Sequence, residues 1–145
     1  MTTAEHLDAI DRLRAEGFPT EPVWSGGRSS GPGFHLVQVS WTEDFRDDGG
    51  AGRAEAADQI NAEYGALTQA LTDRWGPAQV FALVSLRDRV FGGEGIPAPW
   101  AGLSEATGHV HLWRVEERWL VACVTQGDGD DPYVLTAGVT VVDPP

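Results

Sequence analysis

The sequence predicts an α+β fold: an antiparallel-rich sheet of about four to six strands, with one long and one short helix packed on one face. Three observations carry that expectation. "RAEAADQINAEYGALTQALTDRW" (53–75) repeats apolar residues at three- and four-residue steps. "FHLVQVSWT" (34–42) is bulky and β-branched. The C-terminal third, from "HVHLWRV" to "YVLTAGVTVV", reads as short strands separated by turns. The length of 145 residues fits one domain spanning 1–145.

The first helix is punctuated at both ends. Thr2 and Glu5 have capping-box spacing, Gly17 suits the stop, and Leu7, Ile10 and Leu13 form a narrow apolar stripe that docks by one edge. "GFPTEPVWSGGRSSGPG" (17–33) is loop chemistry, with Val23 and Trp24 as a short edge strand inside it. A strand follows at 34–42, and then "TEDFRDDGGAG" (42–52), an acidic loop.

Arg53–Trp75 is the strongest helix. Ala57, Ile60, Tyr64, Leu67, Leu71 and Trp75 make one continuous face, roughly 34 Å long at 1.5 Å per residue. Gly65 within it marks close packing against the sheet, and Gly76-Pro77 ends it.

"AQVFALVSL" (78–86) is nearly all apolar and reads as a central strand. Residues 87–108 hold no long element beyond a helical turn at 99–104, and a loop of that length reads as a binding element or lid. The last third is a meander. Strand 109–115 turns at Glu116-Glu117 into 118–125, setting Val115 opposite Arg118, Trp113 opposite Leu120 and His111 opposite Ala122.

Composition excludes several chemistries. All ten basic residues are arginine, so Schiff-base catalysis and a P-loop lysine are ruled out. Twenty-two acids give a net charge of −12, which repels nucleic acid and anionic membranes and attracts a basic protein. Cys123, in "WLVACV", reads as an inert core thiol that forms no intramolecular disulfide. The N-terminus lacks an apolar signal segment, and no run approaches a membrane span, so the expectation is a cytoplasmic, soluble chain, monomeric or homodimeric.

Candidate sites are few. His109 and His111 share one strand face and could chelate zinc given a third ligand, but their cross-strand neighbours Ala122 and Val124 are apolar, so ordinary strand histidines are the preferred reading. "GDGDD" fails as a calcium loop, because the sixth and twelfth positions from Asp128 are Tyr133 and Val139. "GGRSSGPG" lacks the lysine and following helix of a phosphate cradle. No nucleophile elbow, H-E-x-x-H or C-x-x-C occurs, and no cofactor is implied. Six tryptophans are the unusual feature. Trp24 and Trp100 fall in loops and, with Asp44, Asp47, Asp48 and Glu94, form the expected partner surface around the 42–52 and 87–108 loops.

Two segments, "RWGPAQV" and "LWRVEERWLVACV", resemble small proteins of GC-rich bacteria, among them immunity proteins that neutralise toxins. That resemblance implies a partner-binding inhibitor and assigns no residues. The leading expectation is therefore a non-enzymatic protein-binding domain for a basic partner. The alternatives are a small-ligand or metal-dependent enzyme using His109 and His111 beneath the 87–108 loop, and a structural subunit dimerising through its sheet edge.

Overall fold

A computed structural model describes residues 2–44 and 51–145. In chain order the elements are α1 (Thr3–Ala15), β1 (Val23–Ser25), β2 (Arg28–Gly31), β3 (Phe34–Trp41), α2 (Arg53–Trp75), β4 (Gln79–Ala82), α3 (Val84–Phe91), α4 (Trp100–Ala106), β5 (His109–Val115), β6 (Arg118–Thr125) and β7 (Val134–Thr140). The seven strands form one antiparallel sheet in the order β1-β2-β3-β7-β6-β5-β4.

Side-chain alternation along the central strands divides the core in two. Trp113 and Val115 of β5, Leu120 and Ala122 of β6, and Leu135, Ala137 and Val139 of β7 meet α1 and α2 on the first face. Val110 and Leu112 of β5, with Val121 and Cys123 of β6, meet α3 and α4 on the second. The α+β class holds, but the expectation of one long and one short helix on one face does not. Four helices occupy both faces among the described residues, and the sheet has seven strands where about four to six were expected.

The correction has a local cause. The apolar run at 78–86 is a four-residue strand at the end of the sheet followed by a helix, and no central strand. Leu83 and Leu86, three apart, are the residues it buries, while Val80 and Val84 stay 65% and 62% exposed. A short apolar run carries no periodicity that separates strand from helix, and here the helical spacing prevails. The second addition is β2. Gly26 and Gly27 take φ of +50° and +82°, the left-handed pair that a two-residue hairpin turn requires. That turn folds Arg28–Gly31 back on β1, inside a segment whose composition reads as loop.

The helix termini follow the sequence. Thr2 Oγ1 accepts from the Glu5 N–H at 3.2 Å and caps α1, which buries His6, Ile10 and Leu13. α2 spans the predicted Arg53–Trp75 and buries Ile60, Leu67 and Leu71. Its end is fixed by a buried indole: Trp113 Nε1 donates to the Gly76 carbonyl at 3.1 Å. Gly65 contradicts the close-packing expectation, since it is exposed and a Cβ built on it meets nothing within 4 Å. Gly65→Ala should accordingly stabilise the protein by about 1 kcal/mol through helix propensity alone, seen as a higher midpoint in urea with an unchanged slope. Leu67, with 0% exposure, sets the opposite expectation: Leu67→Asp abolishes cooperative unfolding, and a cooperative transition near the wild-type midpoint would contradict this core.

Candidate binding cleft

The sheet is wider than its second helical layer. α3 and α4 cover the β5–β6 half of the second face, whereas the β1–β2 hairpin carries the sheet outward past them. The uncovered half becomes the floor of a cleft of about 590 Å³. Leu36 and Gln38 of β3, Thr125 of β6 and Thr136 of β7 form that floor; Pro99, Gly102, Leu103 and Ala106 of the α4 segment make one wall, and Trp24 of β1 stands at the other. The volume lies within the range typical of small-molecule sites, about 300–1,000 Å³.

Three of its polar side chains, Arg28, Thr125 and Thr136, are engaged within the protein. Thr125 and Thr136 bond each other at 3.0 Å. Arg28 is the one charged residue among those lining the cleft, and its guanidinium turns to the first face, where it pairs with Glu16. Gln38 is exposed, and among the described residues its carboxamide has no hydrogen-bond partner. The cleft thus offers apolar walls, the Gln38 carboxamide and the Ser25 and Ser29 hydroxyls as donor–acceptor groups, and an indole that is 81% exposed. It suits an apolar side chain or small neutral group flanked by a peptide bond.

The predicted surface is reordered by this geometry. Trp24 is exposed as expected. Trp100 is not: at 0% exposure it is a core residue, its Nε1 donating to the Val142 carbonyl at 3.0 Å and its ring set edge-on to Phe81 at 6.2 Å between centroids. α4 is the reason, because Trp100, Leu103 and Ser104 share the helix face turned to the sheet. Glu94 is exposed and paired with Arg89, and Asp44 is exposed. Asp47 and Asp48 lie outside the described residues. The sequence reasoning missed the cleft itself. The signal that could have found it was the Gly26-Gly27 turn, which converts a supposed loop into sheet.

His109 and His111 do share one face, with ring centroids 6.0 Å apart. That face is the first, beside α2, whereas α3, Ile96 and α4 pack on the second. These helices therefore do not cover the pair. His111 is engaged instead by Tyr64, whose hydroxyl contacts His111 Nδ1 and also the Ala122 carbonyl at 3.1 Å. The carbonyl can only accept, so the tyrosine hydroxyl donates to it and His111 Nδ1–H donates to the tyrosine oxygen. Among the described residues no group of three or more His, Cys, Asp or Glu side chains could hold a metal ion.

The remaining histidines hold layers together. His35 Nε2–H donates to the Gly17 carbonyl at 3.1 Å, and its Nδ1 accepts from the Ser30 hydroxyl at 2.6 Å. This staples the end of α1 to β2 and β3. His35 is 2% exposed and Ser30 5%, so the pair is enclosed. His6 is 1% exposed, and both its ring nitrogens, like Glu63 Oε2, lack a partner among the described residues. Ser40 Oγ donates to Glu63 Oε1 at 2.8 Å. Burial also pushes the Cys123 thiol up to about 12, which removes it as a nucleophile at neutral pH.

No protein family, curated protein or solved structure matches this chain. Among the described residues, no helix is long and apolar enough to cross a membrane.

The histidine environments set a pH dependence. Burial lowers the pKa of His6, outweighing the Glu63 carboxylate; burial and the Arg28 charge lower that of His35; burial and His109 lower that of His111. Above the unfolded value of about 6.5 these rings are neutral in both states. Below it the unfolded chain takes up protons that the folded chain refuses, so stability falls as pH falls from about 6.5 towards the depressed folded values. A melting temperature that drops between about pH 6.5 and 5, and drops less in His6→Leu, is the expected result. A rise on acidification would contradict these placements.

Proposed function

We propose that the protein is a cytoplasmic, non-enzymatic binding domain whose cleft takes an apolar anchor from a basic partner protein, in the manner of an immunity-type inhibitor. The observation that carries this reading is the cleft of about 590 Å³ beside Trp24, an indole 81% exposed with apolar walls behind it. Exposed tryptophan is the residue type most concentrated at binding hot spots, and an apolar recess next to it gives the partner's side chain a desolvated seat. Gln38 supplies the group that reads the partner's backbone. The charge of −12 supplies long-range attraction, which acts on association rate and is screened beyond ~8 Å at physiological salt.

Two substitutions separate binding from folding. Trp24→Ala removes the exposed indole. Gly102→Leu fills the cleft from α4, where a Cβ meets nothing within 4 Å and leucine improves on glycine as a helix former. Both variants should melt at or above the wild-type temperature. Both should lose a basic protein that the wild type retains from cell extract, Trp24→Ala by at least about 30-fold in affinity, the equivalent of a 2 kcal/mol hot spot. Equal retention by all three proteins would remove the cleft from the reading.

A further inference from the structure

β4 ends the sheet, and among the described residues its one neighbour strand is β5. The Leu83 N–H donates to the Gly108 carbonyl at 2.8 Å, which makes Leu83 and Gly108 a hydrogen-bonded pair of the antiparallel ladder. Such pairs recur at every second position, so Phe81 with Val110 and Gln79 with Leu112 also bond inward. Val80 and Ala82 therefore turn their N–H and C=O groups away from β5.

Of the devices that usually blunt an open edge, β4 has its shortness, four residues, and lacks charge, an internal proline and a bulge. Residues 76–86, "GPAQVFALVSL", carry no charge, and β4 itself holds no proline and no register shift. Val80 is 65% exposed, and α3, which follows β4 directly, leaves Val84 and Phe91 62% and 70% exposed.

We propose that this edge pairs with the same edge of a second copy of the chain, β4 against β4 and antiparallel, joining two seven-stranded sheets into one. A two-fold axis at Phe81 sets Val80 opposite Ala82 of the second copy, and the reverse. Each such pair exchanges both backbone hydrogen bonds, so every outward group of the two residues is satisfied. The same rotation keeps the faces of the sheet, which brings both α3 helices to one side of the seam with Val84 and Phe91 available to cover it. The occupant is a second copy because the edge is complementary to itself, donor against acceptor. A charged peptide would find no counter-charge in 76–86, and a second copy needs none.

Two chains of charge −12 repel at long range, which gives the pairing a salt dependence opposite to that of a basic partner. Sedimentation equilibrium from micromolar to millimolar protein should show a species of twice 15.6 kDa, its fraction rising as salt increases. Val80→Pro deletes an outward N–H and costs no internal hydrogen bond, so this variant should keep the wild-type circular dichroism spectrum and sediment as a monomer. Ala82→Lys places a charge on the same edge and should do likewise, which keeps the test open if the proline variant does not fold. A wild type that stays monomeric throughout would overturn the proposal, as would a folded variant that dimerises as well as the wild type.

Discussion

The pairing of β6 with its neighbours β5 and β7 is the constraint on which the other features depend. These strands are buried on both faces, so one register decides two cores at once. Leu120 and Ala122 go to the α1–α2 side, and Val121 and Cys123 go to the α3–α4 side. A slip of one residue would exchange the two sets and face a helical layer with the wrong volumes. The hairpin turn at Glu116-Glu117 holds that register, with Val115 opposite Arg118 and Trp113 opposite Leu120. Two buried indoles then lock the layers to it. Trp113 bonds the carbonyl that terminates α2, and Trp100 ties α4 to the chain beyond β7.

The cleft is a consequence of that arrangement. On the β5–β6 half of the second face, Val110, Leu112, Val121 and Cys123 form an apolar seat for α3 and α4. Beyond it the floor carries Gln38, Thr125 and Thr136, polar side chains that a packed helix would have to accommodate, and Gln38 stays exposed. Under the proposed function, the acidic surface and the largely apolar recess divide the work: charge would set how fast a basic partner arrives, and the recess how long it stays.

Much of this was legible in the sequence where periodicity ran long. Arg53–Trp75 was readable because its stripe repeats over six turns, and the β5–β6 register because a two-residue turn leaves one pairing. The eight-residue α3 was not readable, since two turns hold too few apolar positions to define a face, and the seven-residue α4 was read only as a helical turn at 99–104. That gap propagated. With α4 read as an isolated turn inside a loop, Trp100 passed for an exposed residue, and with α3 unseen, the second face had no cover. The histidine pair shows the same limit: its shared face was evident from alternation, but which layer stood over it was not.

Amide chemical-shift mapping of the protein titrated with a basic protein that it retains from cell extract tests the central claim most directly. The account predicts perturbations concentrated at 23–38 and 98–106 with extension to Thr125 and Thr136, the residues that build the cleft. Perturbations centred on His109, His111 and Tyr64, on the opposite face of the sheet, would contradict it.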